Sequence, residues 1–336
     1  MKPLQIASGE RFAASLTRWC ARPEFAAIEA HPLSGTFGRA YYPAVFGERR
    51  ADASFAVVEG DRPVVIVPCS MDERELDYYG APIRLFVATG LNEGDASRAV
   101  NAAFAHLDTL AGQGGIDHIR ICDDASLGKL SLVGKQCLNR RATPVLRLTG
   151  LCTLERGEAG MREGLRKSFQ SLINWGKRNL TIQTVNAANP DRVLFGRYRE
   201  FHAAVAGRVT RSAQSWDAMF DWIAAGHGEL LLGFLAGGEL VTGTMVVDGT
   251  ETAYYASGVY DRERFDQPLG HWPLWLAMLN SAARGMRKFE LGDLPLPDSA
   301  SEKEFAIGYF KRGFATSIET SIAWTWTPAG NADQPQ

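Results

Sequence analysis

Apolar positions in residues 8–30 recur at helical spacing, with Phe12, Leu16 and Trp19 on one face and Phe25 and Ile28 following, which predicts an amphipathic helix. A loop over 31–39 and a Tyr/Phe-rich stretch come next. The period then drops to two. Phe55–Glu59 and 63–69 read as strands around a Gly60-Asp61 turn, a β-hairpin. Residues 76–80 continue as Tyr-rich strand or loop. Helical spacing returns over 95–111 (Ala99, Ala102, Ala103, Leu107, Leu110), and Gly112, Gly114 and Gly115 stop it. A strand is predicted over 116–122.

The same order of events recurs later. Strands at 230–236 and 239–247 flank Gly237-Gly238, a third strand covers 252–259, a helix 272–283 ends at Gly285, and a strand 288–291 runs into Gly-Asp. The hairpin glycines Gly60 and Gly237 lie 177 residues apart, and the pairs Tyr78-Tyr79 and Tyr254-Tyr255 lie 176 apart. Strand–turn–strand–strand–helix–strand occurring twice predicts two similar α/β domains, each a mixed, mostly antiparallel sheet flanked by helices. The repeat is one of pattern, not of residues. The length of 336 residues also suits two domains, here placed at 1–150 and 151–326, with 327–336 as a disordered tail.

The stretch between the repeats has another character. Residues 161–179 predict a helix with Leu165, Phe169, Leu172, Ile173 and Trp175 as its apolar stripe; further helices fit 191–205 and 216–225. Residues 162–211 hold ten Lys/Arg against three Asp/Glu, a local charge of +7 in a chain of net −2. Such asymmetry favours an anionic ligand, although a solvated helix face gives the same count. Arg208, Arg211 and Ser212 fall in a GRVTRS loop, where backbone and side chains can converge on a phosphate. His202 lies on the preceding helix.

Composition narrows the chemistry. A hydrophobic share of 46% and a charged share of 22% suit a packed globular protein. Five widely spaced cysteines without C-x-x-C read as buried reduced thiols, and six scattered histidines show no metal-ligand spacing, so no metal is expected. The N-terminus lacks a signal peptide's apolar core, and no run approaches the ~20 apolar residues of a spanning helix, which makes the cytoplasm the expected compartment. P-loop, G-x-G-x-x-G and G-x-S-x-G patterns are absent. What remains is direct transfer between two bound substrates, where positioning and oxyanion stabilisation supply most of the effect.

One stretch concentrates candidate residues. Residues 289–314 read as a strand end, a Pro-rich loop, and a short helix or turn with Lys311 and Arg312 among Tyr309, Phe310 and Phe314. Both cations also fit the solvated end of an amphipathic segment. Glu290 and Asp293, at the strand end, are candidate bases, with His202 or His271 as alternatives. Of Tyr254 and Tyr255, strand alternation lets only one face a cleft, and core packing fits either.

Read in order, LRKSFQSLINWGKRNL, RYREFHAAVAGRVTRS, GGELVTGTMVV, AYYASGVY, a helix, KFELGD and GYFKRGFA resemble the Fem-type (FemABX-like) branch of the GNAT acyltransferase superfamily, whose members join two GNAT-like domains. The resemblance covers roughly residues 160–325 and reaches the first half by topology. It implies an acyltransferase in which an amine attacks an acyl-CoA thioester or an aminoacyl-tRNA ester. It implies a splayed strand here at 254–259, broken near Ser257-Gly258, and a donor pyrophosphate on the next helix N-terminus, here Leu269, Gly270 and His271. The usual R/Q-x-x-G-x-G/A pyrophosphate loop is absent. The lysine of the final F-K-x-x-F motif, matched by Lys311, implies oxyanion stabilisation. The arginine after the second linker helix, matched by Arg211, implies acceptor binding.

The catalytic set so implied is Lys311, Glu290, Asp293 and Tyr255. Ser257, Gly258, Leu269, Gly270 and His271 would hold the donor; Arg208, Arg211, Ser212 and His202 the acceptor. The N-terminal half, without an FKRGF counterpart, would shape the acceptor groove. With no long helical arm, acyl-CoA (acetyl or longer) is the expected co-substrate. The acceptor would be an amino sugar or amino-acid-like amine, nucleotide sugars included, in surface glycan or cell envelope assembly. Two alternatives stand: an aminoacyl-tRNA-dependent transferase acting on a peptidoglycan precursor or small metabolite, and a non-catalytic GNAT-like binding module.

Overall fold

The structure, a computed structural model, describes residues 3–124, 129–297 and 300–328. Its contacts divide the chain into two α/β units, each discontinuous. As far as they are described, Met1–Ile28, Phe46–Arg147 and Thr320–Gln336 form the first; Glu29–Val45 and Leu148–Glu319 form the second. Residues 29–45 group with the second unit and 320–328 with the first. Of the expected tail, Thr327 and Pro328 carry no regular structure, and 329–336 lie outside the described residues.

The first unit holds an antiparallel sheet in the order Leu4–Ser8, Phe55–Glu59, Arg62–Val67, Phe86–Val87. Alternation decides its faces. Val57, Val65 and Val67 pack against the helix Glu93–Gly114, while Ala56, Val58 and Ile66 pack with Phe12 and Trp19 of the helix Gly9–Cys20. The long expected helix over 8–30 thus ends at Cys20. A short 3-10 turn, Pro23–Phe25, and Ala26–Ala30 follow it. A second group of strands is built on His118–Asp124, which pairs in parallel with Glu75–Asp77 and with Ile83–Arg84.

The second unit carries strands in the order Thr181–Val185, Gly228–Phe234, Leu240–Asp248, Thr252–Tyr260, Lys288–Asp293 and residues 149–153. Only Thr252–Tyr260 and Lys288–Asp293 run parallel, because the helix His271–Ala283 crosses over between them. Helices cover both faces, so the central strands are near-continuously apolar and buried. Leu231 and Val246 face Leu274, Trp275, Phe169 and Phe314; Leu230, Leu232 and Met245 face Phe37, Phe195, Tyr198 and Trp216.

Two helix expectations change. Residues 161–179 hold two helices, Gly157–Gly164 and Phe169–Asn179, because the Arg166 N–H donates to the Gly313 carbonyl instead of continuing a helix. The expected loop over 31–39 gives way at Thr36 to the helix Thr36–Phe46, which takes in the Tyr/Phe-rich stretch and contains Pro43. Local propensity disfavours it; packing of Phe37 and Tyr41 into the core of the second unit holds it. All five cysteines are free and buried. Among the described residues, no helix is long and apolar enough to cross a membrane.

Candidate active site

The parallel pair is where the second unit opens. Thr252, Ala253 and Tyr254 are in register with Lys288, Phe289 and Glu290, and pairing stops there. Bulges lie on both strands: one at Ala256 against Leu240–Asp248, one at Leu291 against residues 149–153. A bulge bends and twists its strand, and these two bulges act just where the strands part. The split therefore begins three residues before Ser257. Beyond it, Tyr255–Tyr260 pairs on one edge with Leu240–Asp248, and its other edge has no strand partner among the described residues.

Beside that edge lies a cleft of about 770 Å³. The helix Glu302–Arg312 forms one wall, with Lys303, Ala306, Ile307, Phe310 and Lys311 all turned to it. That is one helical stripe, about 12 Å from first to last at 1.5 Å per residue. A capping box between Ser301 and Glu304 fixes where the helix starts, and so which side chains point inward. Lys303 and, from the loop, Arg262 are exposed cations; Lys311 stands at the split.

Lys311 is not boxed by the neighbouring aromatics. Tyr309 stacks instead with Arg166 and Arg312, at 3.8 and 5.5 Å, and Phe310 and Phe314 pack with Phe169 and His271. The ammonium lies against Gly292, where a Cβ would come within 3.0 Å of Nζ. Burial lowers the Lys311 pKa from the ordinary lysine value, opposed by Asp293 and Glu290. The two strand-end carboxylates and the lysine are thus brought together.

Tyr254 and Glu290 are register partners, so their side chains share a face. On that face His31 Nε2 is 3.1 Å from Glu290 Oε2, and the His31 ring meets Tyr254 edge-on at 5.5 Å. Tyr255 points to the opposite face, where its hydroxyl bonds Tyr260 at 2.5 Å. Because the cleft follows the strand's edge, both tyrosines line it, against the expectation of one. Burial raises the pKa of Tyr254, Tyr255 and Tyr260, the last to about 12. All three are neutral phenols at neutral pH, able to hydrogen-bond but not to act as bases. Ser257 and Gly258 line the cleft as well.

The remaining candidates divide. Arg211 donates from Nε to the Tyr41 hydroxyl (2.9 Å) and from Nη1 to His202 Nε2 (3.0 Å), and stacks on Trp216 at 5.1 Å. His202 lines the cleft. Since arginine only donates, the His202 proton sits on Nδ1, towards Thr210 at 3.4 Å. Burial and Arg211 hold its pKa down at about 4. Ser212 caps the helix Ala213–Ala224 and donates to the Ala44 carbonyl, so its hydroxyl is engaged. Arg208 is exposed outside the cleft. The basic segment is largely tied down: Arg162 to Glu158, Arg166 to Tyr309, Arg192 to Asp217 and Asp221, and Arg197 over Phe234.

Leu269, Gly270 and His271 are not in the cleft. Leu269 is buried, a Cβ on Gly270 would strike the Tyr260 ring, and His271 is packed among Phe169, Phe310 and Phe314. The His271 N–H bonds the Pro268 carbonyl and Pro273 has none, so that helix start offers few free amides to an anion. Burial brings His271 to about 4 as well. No group of His, Cys, Asp and Glu among the described residues could hold a metal.

His31 and Tyr41 were not singled out in the sequence as site residues, and Tyr254 stood there only as the alternative to Tyr255. His31 is 259 residues from Glu290, and no local motif marks it.

A split parallel pair with an open strand edge marks the second of two α/β units, and the chain's fold is similar to that of tandem GNAT-like proteins. No protein family's sequence profile matches the chain, and no curated protein matches its sequence. Solved structures do. The crystal structure of FemX matches with a TM-score of 0.62 at 14% identity, over 89% of this chain and 94% of that one. A tandem GNAT protein from the clavulanic acid biosynthesis pathway matches at 0.58 and 16%, over 99% and 100%. The C-terminal domain of a putative lysylphosphatidylglycerol synthetase from Agrobacterium fabrum matches at 0.55 and 14%, over 84% and 85%. At these identities the likeness is one of fold.

Proposed function

We propose that the second unit catalyses N-acyl transfer from an acyl-CoA to the amine of an amino sugar or amino-acid-like acceptor. The observation that carries this reading is the half-buried Lys311 ammonium, set beside Glu290 and Asp293 where an unpaired strand edge opens onto the cleft. An extended thioester arm suits that edge, since its amides can pair with free backbone groups. Arg262 and Lys303 offer countercharge to phosphates at the cleft, in place of the occluded start of the helix His271–Ala283.

In the transfer, the amine nitrogen attacks the thioester carbonyl. The C–N bond forms and the C–S bond breaks. Glu290 takes the amine's proton, and CoA leaves as a thiolate that regains one proton. Lys311 stabilises the oxyanion, a role that needs its charged form. Arg211, held by Tyr41, His202 and Trp216, is a preset cation for an anionic acceptor group.

The test is direct. Acetyl-CoA or a longer acyl-CoA should raise the melting temperature by mass action, and amine-dependent release of CoA should disappear in Lys311→Met. No thermal shift with any acyl-CoA, or full turnover in Lys311→Met, contradicts the proposal.

A further inference from the structure

Glu290 sits at the parting of the strands with a partner from far away in sequence. His31 follows the helix Ala26–Ala30 in a turn anchored twice to the loop before Thr252: the Thr250 N–H donates to the Glu29 carbonyl at 2.8 Å and the Glu251 N–H to the Ala30 carbonyl at 3.2 Å. The turn is closed on itself as well. The Gly35 N–H and the Ser34 hydroxyl both donate to the His31 carbonyl. The ring itself is fixed, because the Leu33 N–H donates to Nδ1 at 3.2 Å. A nitrogen that accepts carries no proton, so the neutral ring bears its proton on Nε2, the atom 3.1 Å from Glu290.

We propose that His31 is the positioning residue for Glu290: a turn of the Glu290 side chain brings its carboxylate, 3.1 Å from the buried and unpartnered Nε2, onto the Nε2–H, and that hydrogen bond fixes the carboxylate's orientation towards the acceptor amine. The proposal rests on the reading of Glu290 as the base. His31 Nδ1 is taken by the Leu33 N–H, and its buried Nε2 has Glu290 within 3.1 Å but makes no formed hydrogen bond in this conformation. The charged and titratable groups around this pair are Lys311 from the helix Glu302–Arg312, Asp293 from the same strand as Glu290, and Tyr254 from the facing strand, with Tyr41 and Arg211 beyond Tyr254. Both side chains are about a quarter exposed, 24% for His31 and 22% for Glu290, so substitution here leaves the core intact.

The test uses the full chain and acetyl-CoA with the amine acceptor that supports CoA release. His31→Leu should lower kcat about ten- to a hundredfold, the worth of one hydrogen bond to a charged group, and leave KM nearly unchanged. The acidic limb of its kcat profile should move to higher pH, because a donor that favours the ionised carboxylate has gone. His31→Gln, whose amide can donate from the same place, should recover most of the rate. In the Glu290→Gln background, His31→Leu should add no further loss. Independently of turnover, 15N-histidine spectra should show His31 as the Nε2–H tautomer. An unshifted acidic limb with wild-type kcat in His31→Leu, or an Nδ1–H tautomer, overturns the proposal while leaving Glu290 as the base. Full activity in Glu290→Gln overturns the base reading itself.

Discussion

Each unit contains strands that pair in parallel, and the two units treat the same geometry differently. In the second, Thr252–Tyr260 parts from Lys288–Asp293 after Tyr254 and runs on with one edge open. In the first, Glu75 and Leu76 are in register with His118 and Ile119, the chain turns through Tyr78–Ala81, and Ile83 and Arg84 rejoin Ile121 and Cys122. Tyr79 takes a left-handed φ of +50° to make that turn. The rung alignment places Glu75 opposite Thr252 in the other repeat, 177 residues on, the same spacing as the hairpin glycines. Tyr78 therefore corresponds to Tyr255, and Asp77 to Tyr254, correcting the spacing of 176 that the paired tyrosines suggested.

Asp77 is fully buried, bonds both Arg50 and Arg120, and accepts the Gly80 N–H at 3.0 Å. Arg50 also reaches Glu75 and Asp72. At the position where one unit presents a phenol to a cleft, the other has an ion cluster holding the turn that closes the split. The lesson is that the same topology gives a cleft where the strand edge stays open.

The largest effects should fall on the open pair. Glu290→Gln should cost about 10²–10⁴ in turnover, measured as CoA release, without loss of fold. Lys311→Met should follow at about 10²–10³, in line with loss of an oxyanion donor. Because burial lowers the Lys311 pKa, the ammonium is lost as pH rises through a value below that of an ordinary lysine. The alkaline limb of the rate profile should therefore lie below 10.5, the ordinary lysine value. Lys311→Arg should remove that limb, since guanidinium stays charged.

The closed pair should answer in stability. Asp77→Ala takes a fully buried carboxylate away from Arg120 and from Arg50, which keeps Glu75 and Asp72, and should cost about 1–3 kcal/mol, read from denaturant melts. Gly258→Ala sharpens the open side: a Cβ there collides with the Tyr255 hydroxyl, which must leave Tyr260 and enter the cleft. A rise of about tenfold in KM for acyl-CoA, equal to 1.4 kcal/mol, should result with little change in kcat. The smallest effect is acid sensitivity. His202 and His271 are neutral in the fold, with pKa values of about 4 against 6.5. The unfolded chain binds more protons between those values, so stability should be present above about 6.5 and fall as pH drops towards 4. His271→Phe should flatten that slope in melting curves.

Much of the frame was legible in the chain. The Gly60 and Gly237 hairpins, the helices near 95–111 and 272–283, and the strand leading to Glu290 follow from periodicity and punctuation. Lys311, Glu290 and Asp293 were found because they share one short stretch. The helix Thr36–Phe46 was missed because its own residues disfavour it and distant packing supplies its stability. The parting at Tyr254 depends on bulges, set by register between strands, which no single strand displays. His31 was invisible for a simpler reason: its meaning is a contact across 259 residues. The basic run misled in the other direction, since most of its arginines satisfy carboxylates and rings within the unit.

The most direct measurement is a crystal structure with an acyl-CoA analogue whose sulfur is replaced by methylene, so that it keeps the carbonyl but cannot transfer. The account predicts the arm along the free edge of Tyr255–Tyr260, the carbonyl oxygen within hydrogen-bond distance of Lys311 Nζ, and the phosphates near Arg262 and Lys303. An analogue bound elsewhere, or a carbonyl pointing away from Lys311, would contradict it.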